Sequence, residues 1–323
     1  MISPSCPNES CIQGIERRPK VVRHGFFRVR CGRRRRYRCL GCGRTFSKRT
    51  NTAVFGLWCS SRVFERAAHL SVEGMSRSAI ARVEGVDWHT VDRWLNRAAA
   101  LAERFNDGHL KGIPLVELQA DELRSFAPGK ATPTWVFTSM EVCSRLWPST
   151  VVGRRSYSNT KALFNDTLFR GDIVGVPLIM TDGFRFYERV IRTLFGAACV
   201  YAQVVKTWRN NRVTQVDRRA VIGTPRRLER ALDDSEDSMH ANTAYIERLN
   251  LTIRQSVAYL RRRSLTHARC QKRLHRQLEL ARCYYNFIRR HAGLRFGREL
   301  RTPAMVAGLR DHACSFQEIF GIA

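Results

Sequence analysis

Apolar side chains recur at helical spacing along residues 245–265. The positions that fall on one stripe are Ile246, Leu249, Ile253, Val257 and Leu260. On the adjacent face, Glu247, Asn250, Arg254 and Arg261 recur at three-, four- and seven-residue steps. The pattern predicts an amphipathic helix with one carboxylate at the head of a basic ridge. A surface glutamate paired with a neighbouring arginine explains the same position without any function.

The central part of the chain alternates between strand-like and helix-like patterns. The predicted strands cover residues 114–120, 134–141, 147–152, 176–180 and 197–205, and the predicted helices cover residues 161–169 and 184–195. Together with the helix after them, these elements predict a mixed five-stranded sheet with helices on its faces. The sequence assigns residues 107–292 to this unit and marks residues 207–240 within it as an insertion.

Two acidic residues directly follow predicted strands. Asp121 ends the segment PLVELQA, and Asp182 follows the strand that leads into MTDG. Because ligands collect at strand ends in open sheets, we expect these carboxylates to meet Glu247. Hard oxygen ligands of this kind bind divalent metal for phosphoryl transfer. Glu122 is expected on the opposite face of its strand, which makes it a weaker candidate.

Residues 51–106 have the outline of a helix-turn-helix. Ser76 is predicted to cap a short helix that runs through Val83, and Asp87 to cap a second helix from Trp88 to about Ala99, with Gly85 allowing the turn between them. The outward face of the second helix is predicted to carry His89, Thr90, Arg93 and Arg97. A generic three-helix packing unit has the same apolar spacing, but the basic flanks favour DNA.

Residues 1–50 contain two pairs of cysteines at zinc-ligand spacing. Cys6 and Cys11 form the first pair, and Cys39 and Cys42 form a C-x-x-C followed by glycine. This pattern predicts a four-cysteine structural Zn²⁺ site in a zinc ribbon, with Cys31 as a possible competing ligand. Reduced structural thiols are the alternative. The basic residues Arg33, Arg34, Arg35 and Arg36 are predicted to form a phosphate-binding surface on the ribbon.

The net charge of the chain points to a polyanionic partner. Its 323 residues carry a formal charge of +28, with a pI of about 10.8. Counterion release makes the binding of such a chain to nucleic acid strong and salt-dependent. There is no apolar run near membrane-spanning length and no signal peptide, so we expect a cytoplasmic protein that does not bind membranes.

In combination, these motifs resemble those of the insertion-sequence-one family of DDE transposases. The motifs are YRCLGCGRTFS, the helix-turn-helix, LQADEL, MTDGFRFY and IERLNLTIRQSVAYLRRRSL. The resemblance implies a ribonuclease-H-like core in a multidomain α/β protein, with Asp121, Asp182 and Glu247 as the catalytic triad. It also implies that Asn250 is an additional polar site residue and that residues 293–323 are a C-terminal tail. The longer interval between Asp182 and Glu247 departs from the compact spacing of the smallest members.

The resemblance also implies a function. It implies binding of terminal inverted repeats and target DNA, at least as a homodimer, and cleavage and joining of strands with two Mg²⁺ or Mn²⁺ ions. Arg254 and Arg261 would follow the DNA backbone. Two alternatives remain open at this point: a DNA-binding regulator with an inert core, and a metal-dependent nuclease that does not join strands.

Overall fold

The N-terminal part of the chain is a small sheet built around cysteines. The computed structural model describes residues 5–12, 20–29, 32–52, 54–127, 131, 133–210 and 212–322. A short helix α1 (Glu9–Ile12) precedes the antiparallel strands β1 (Val21–Val29), β2 (Gly32–Cys39) and β3 (Thr45–Phe46). Cys6, Cys11, Cys39 and Phe46 form the buried centre of this unit. Such a small apolar core supplies little stability without a bound metal.

Three helices follow: α2 (Ser61–Val72), α3 (Arg77–Glu84) and α4 (Trp88–His109). The predicted caps are confirmed. The side chain of Ser76 accepts from Ala79 N at 3.2 Å, and that of Asp87 accepts from His89 N at 2.8 Å. Gly85 ends α3 with a φ of 62°, a conformation that glycine adopts at little cost. The second helix of the motif, α4, extends past its predicted end near Ala99 to His109, because its C-terminal half packs on the rest of the fold.

The largest sheet has six strands, with helices packed on both of its faces. Its elements, in chain order, are β4 (Ile113–Phe126), β5 (Pro133–Glu141), β6 (Thr150–Gly153), α5 (Tyr157–Arg170), β7 (Gly171–Thr181), α6 (Arg185–Phe195), β8 (Val200–Arg209) and β9 (Arg212–Ile222). The strand order is β6-β5-β4-β7-β8-β9. β4, β7 and β8 are parallel neighbours, and the remaining pairings are antiparallel. A mixed α/β architecture is therefore confirmed.

The prediction of five strands was wrong by one. The sixth strand, β9, lies within residues 207–240, which the sequence marks as an insertion. Most of its side chains are exposed and many are charged, so it lacks the alternation that identifies a half-buried strand. It is one of the two edge strands of the sheet and is followed by α7 (Pro225–Asp233).

Helix α8 (Ala244–Ser256) lies on one face of the sheet and α5 and α6 lie on the other. The predicted apolar stripe is confirmed, since all five of its residues are at most 3% exposed. The helix nevertheless ends at Ser256, not near residue 265. Val257 adopts extended backbone, and a 3₁₀ turn follows over Ala258–Leu260. Val257 and Leu260 therefore reach the core from a turn, and Arg261 is not on the helix.

The remaining elements close the fold. They are α9 (Gln271–Cys283), a π-helical turn at Tyr284–Ile288, a 3₁₀ turn at Ala292–Leu294, β10 (Arg295–Phe296), β11 (Glu299–Leu300), α10 (Pro303–Val306) and α11 (Phe316–Ile319). The C-terminal residues pack on the helical unit, where the rings of Phe320 and Phe64 lie 5.2 Å apart. Among the described residues, no helix combines the length and apolar character needed to cross a bilayer.

Candidate metal site and arginine-lined cavities

Strand register brings Asp121 and Asp182 to the same edge of the sheet. β4 and β7 run parallel, and Ala120 lies opposite Thr181 where their pairing ends. Asp121 and Asp182 are the next residues along each strand. The prediction that Asp121 ends its strand was wrong, because β4 continues to Phe126 in its pairing with β5. Asp121 instead lies where β4 loses its neighbour β7, which gives its side chain the same open edge.

Glu122 joins these two residues, although strand alternation made it the weaker candidate. One carboxylate oxygen each from Asp121, Glu122 and Asp182 lies within 4.8 Å of the others, and we call these three residues the acidic group. Glu122 does face the layer of α6, where Tyr187 Oη donates to its Oε2 at 2.8 Å. Its other oxygen forms an ion pair with Arg155. The longer glutamate side chain therefore contacts α6 and still brings an oxygen to the shared edge.

Burial raises the pKa of all three carboxyls. The pKa of Asp121 rises from 3.8 to about 6 and that of Glu122 from 4.5 to about 7, in both cases chiefly through burial and then through the charge of Asp182. Burial also raises the pKa of Asp182, against the effect of the Phe184 N–H that its Oδ1 accepts at 2.9 Å. A divalent cation would offset the cost of gathering these charges. The donor set consists of hard oxygens, so it fits Mg²⁺ or Mn²⁺.

A buried polar network fixes α8 against the strand that carries Asp121. Gln119 Oε1 accepts from Ile246 N at 3.0 Å in the first turn of α8. Asn250 Nδ2 donates to Asp121 Oδ2 at 2.7 Å, and Thr138 Oγ1 donates to Asn250 Oδ1 at 3.0 Å. Asn250 therefore orients the Asp121 carboxylate, and its placement beside the site agrees with the sequence-based expectation.

Glu247 lines the same cavity as Asp121 and Asp182, which has a volume of about 750 Å³. Its carboxylate accepts from Thr243 Oγ1 at 2.6 Å and forms an ion pair with Lys206 of β8. Among the described residues, the group within 4.8 Å does not include it. All three predicted acids thus surround one cavity, but only Asp121 and Asp182 are that close together.

Two further cavities extend from the acidic group and are lined by arginines. One, of about 510 Å³, shares Asp121 and Glu247 with the first cavity and is also lined by Arg254, Arg261 and Arg262. The next, of about 870 Å³, is lined in part by Arg124, Arg254, Arg261, Arg262 and Arg263. Arg254 and Arg261 therefore lie beside the acidic group, although Arg261 reaches it from the turn after α8. The two arginine-lined cavities can accommodate a phosphate backbone.

The four predicted zinc ligands lie together. The sulfurs of Cys6, Cys11, Cys39 and Cys42 are all within 4.8 Å of one another, with Cys6 to Cys42 at 3.6 Å and Cys11 to Cys39 at 3.7 Å. Zn–S bonds of about 2.3 Å in a tetrahedron correspond to sulfur separations of about 3.8 Å. The group therefore fits Zn²⁺ with little rearrangement. Cys31, the possible competing ligand, lies outside the described residues.

The predicted recognition residues lie on the N-terminal half of α4. His89, Arg93 and Arg97 are exposed, and Thr90 is half-buried. Arg93 Nη2 donates to Thr90 Oγ1 at 3.3 Å, and Arg97 Nη1 donates to the carbonyl of Phe55 at 2.7 Å. Arg97 thus links α4 to the segment that leads into the helical unit, whereas His89 and Arg93 extend outward.

The arginines of β2 divide between two roles. Arg33, Arg35 and Arg36 lie over phenylalanine rings of β1, with guanidinium carbons 5.0, 4.2 and 5.5 Å from the ring centroids. Arg34 turns toward the helical unit and donates to carbonyl oxygens of the 57–59 segment. The predicted basic surface therefore consists mainly of the three stacked arginines, because Arg34 connects the N-terminal sheet to the 57–59 segment.

The sequence patterns did not indicate Arg155 and Lys206, and they made Glu122 only a weaker candidate. The adjacent pair Asp121–Glu122 was visible as a signal, but alternation argued against its second member. Arg155 and Lys206 come from a loop and from β8, and only the sheet order brings them to the acidic edge. The guanidinium of Arg155 also lies 4.0 Å from the centroid of Phe184.

Comparisons with known proteins add no assignment. Neither the protein-family models nor the curated proteins contain a match to this chain. The chemistry of the site is therefore the basis on which a function can be proposed.

Proposed function

We propose that this protein is a DNA transposase that cleaves and joins strands with divalent metal ions. The main observation in its support is the acidic group, in which one oxygen from each residue lies within 4.8 Å of the others, beside arginine-lined cavities. The proposal includes a ribonuclease-H-like core for the six-stranded unit, a zinc ribbon at the N-terminus, and a dimer or larger assembly that pairs two DNA ends. The resemblance to the insertion-sequence-one family supports the same function.

The residues of the site have separate tasks in this proposal. Asp121 and Asp182, with Glu122 and Glu247 beside them, would hold two Mg²⁺ or Mn²⁺ ions. The ions would supply Lewis acidity, which favours attack on phosphorus by an oxygen nucleophile and departure of the 3′-oxygen. Asn250 keeps the Asp121 carboxylate in position through its 2.7 Å hydrogen bond. No side chain has to act as a nucleophile.

The basic residues would bind the substrate. Arg254, Arg261 and Arg262 extend from the acidic group along the arginine-lined cavities and would contact phosphates on either side of the reacting one. His89 and Arg93 on α4 and the stacked arginines of β2 would bind the terminal repeats. Separate surfaces would therefore serve recognition and chemistry.

The test uses the full-length protein and a supercoiled plasmid that carries the DNA flanking its coding sequence. We expect Mg²⁺-dependent cleavage, and joining of a pre-cut end bearing a 3′-hydroxyl to a second plasmid. Asp121→Asn and Asp182→Asn should each lower both rates by at least about 100-fold, since bound metal contributes several kcal/mol to such reactions. DNA affinity in a gel shift should change little. Asp172→Asn, which removes an exposed carboxyl near the start of β7, is the matched control.

The outcomes separate the alternatives. Cleavage without joining would identify a nuclease, and specific binding without either reaction would identify a regulator with an inert core. Wild-type rates in Asp121→Asn would remove the acidic group from the chemistry altogether.

A further inference from the structure

The C-terminal segment 311–318 brings a second set of metal-binding side chains together. One ligand atom each from His312, Cys314 and Glu318 lies within 4.8 Å of the other two. These residues are separate from the acidic group and from the four N-terminal cysteines, and the proposed function does not use them. An imidazole, a thiol and a carboxylate together form a donor set that zinc-class ions bind.

Neighbouring groups hold two of these side chains in orientation. Asp311 Oδ1 lies 2.6 Å from His312 Nδ1, which leaves Nε2 to face Glu318 Oε1 at 2.7 Å. Glu318 is held in turn, because Ser315 N and Oγ donate to its Oε2 at 2.6 and 2.9 Å. A carboxylate on the far nitrogen of a histidine and a hydrogen-bonded carboxylate ligand are typical supports of metal sites.

The third side chain is anchored to the core. Cys314 is only 5% exposed, and its backbone N–H donates to the carbonyl of Phe287 at 2.8 Å. Two residues later, the ring of Phe316 stacks on that of Tyr284 at a centroid distance of 6.0 Å. The ligand atoms therefore belong to a packed loop whose backbone is fixed at several points, and not to a free chain end.

We propose that His312, Cys314 and Glu318 bind one divalent ion of the zinc class. The thiol and the imidazole select borderline ions such as Zn²⁺ or Co²⁺ over Mg²⁺. On binding, the thiol proton of Cys314 and the proton between His312 Nε2 and Glu318 Oε1 leave to solvent, and Asp311 keeps its contact to Nδ1. The ion would fasten the segment 311–318 against the core.

The experiment titrates Co²⁺ into the full-length protein that carries one equivalent of Zn²⁺ per chain, under a non-coordinating reductant. Four thiolates bind Zn²⁺ more tightly than one thiolate with an imidazole and a carboxylate, so the single zinc ion should remain on the N-terminal cysteines and leave the C-terminal group open to Co²⁺. We expect a thiolate-to-cobalt charge-transfer band that saturates at about one ion per chain. Cys314→Ser should abolish the band, and His312→Ala and Glu318→Gln should each weaken Co²⁺ affinity by at least about 10-fold.

Two control substitutions remove a cysteine and a histidine that lie outside the proposed site. Cys270→Ser removes an exposed cysteine, and His275→Ala removes a histidine that lies 3.4 Å from Glu103. Both should leave the titration unchanged. Absence of the band in the wild type, or its survival in Cys314→Ser, would overturn the proposal. Glu318→Gln keeps an oxygen for Ser315, so it should fold even if another variant does not, and wild-type Co²⁺ affinity in it would also overturn the proposal.

Discussion

The substitution Glu122→Gln tests how far the acidic group lowers the free energy of unfolding of the protein when no divalent ion is bound. The side chain of Glu122 is 2% exposed and shares its edge of the sheet with Asp121 and Asp182. Burial and the neighbouring charges raise the pKa of its carboxyl from 4.5 to about 7. Glutamine keeps the shape and a hydrogen-bond acceptor for Tyr187, but it removes the ionisable proton.

The sign of the effect follows from the direction of the shift. An acid whose pKa is higher in the folded chain loses its proton less readily there than in the unfolded chain, so folding is penalised wherever the unfolded glutamate is ionised. The penalty begins near pH 4.5, grows as the pH rises, and is complete above about pH 7. Each pKa unit corresponds to about 1.4 kcal/mol, which makes the full penalty on the order of 3 kcal/mol.

The assay is urea unfolding of the wild type and Glu122→Gln at pH 5 and pH 8, without divalent ions. We expect the variant to gain about 2 kcal/mol relative to the wild type between these two pH values. Because Asp121 and Asp182 titrate with Glu122, the measured midpoint belongs to all three carboxyls. Asp172→Asn controls for the loss of one exposed negative charge.

Mg²⁺ provides the second part of the test. It should stabilise the wild type more at pH 8 than at pH 5, because only ionised carboxylates bind it, and it should stabilise Glu122→Gln less. A free-energy difference between variant and wild type that is the same at both pH values would refute the reasoning.

Three further changes test other parts of the structure. Cys39→Ser should lower the zinc content of the purified protein by about one ion per chain and expose residues 20–52 to proteolysis, because the N-terminal sheet has little other core. Unchanged zinc content, with Cys270→Ser as control, would contradict the proposed zinc site. Arg262→Ala should reduce the slope of log affinity against log salt by about one, measured by fluorescence anisotropy with duplex DNA, and an unchanged slope would remove Arg262 from the interface. Asn250→Ala should lower the cleavage rate by about 10-fold and shift the pH–rate profile to higher pH, because the lost hydrogen bond normally lowers the pKa of Asp121. A lower rate with an unshifted profile would mean that Asn250 has only a structural role.

Much of the fold could be predicted because it depends on short-range signals. Ser76, Gly85 and Asp87 begin or end helices through hydrogen bonds and backbone conformations that involve only nearby residues. The apolar stripe of α8 is buried as its spacing predicts. The cysteine pairs also bring their ligands together, because the C-x-x-C turn constrains two of them locally.

The errors occurred where long-range contacts decide the structure. β9 is an edge strand with mostly exposed side chains, and its pairing with β8 defines it better than any alternation of its own. The last turns of the predicted α8 helix are replaced by extended backbone at Val257, yet burial of Leu260 is maintained. Apolar spacing therefore identified which residues are buried but not where the helix ends.

The four carboxylates around the site differ in whether a basic side chain neutralises them. Within the part of the chain that the structure describes, Glu122 is paired with Arg155 and Glu247 with Lys206, whereas Asp121 and Asp182 form no ion pair. Their oxygens accept from the neutral donors Asn250 Nδ2 and Phe184 N, which orient the carboxylates without cancelling their charge.

Because these two aspartates form no ion pair within the described residues, we expect a divalent cation to bind first between them. Lys206 and Thr243 both contact Oε1 of Glu247, so Oε2 is the oxygen that would reach a cation shared with the aspartates. The ion pair with Lys206 thus connects the carboxylate of α8 to β8, while the strand residues Asp121 and Asp182 lie close to each other at the sheet edge.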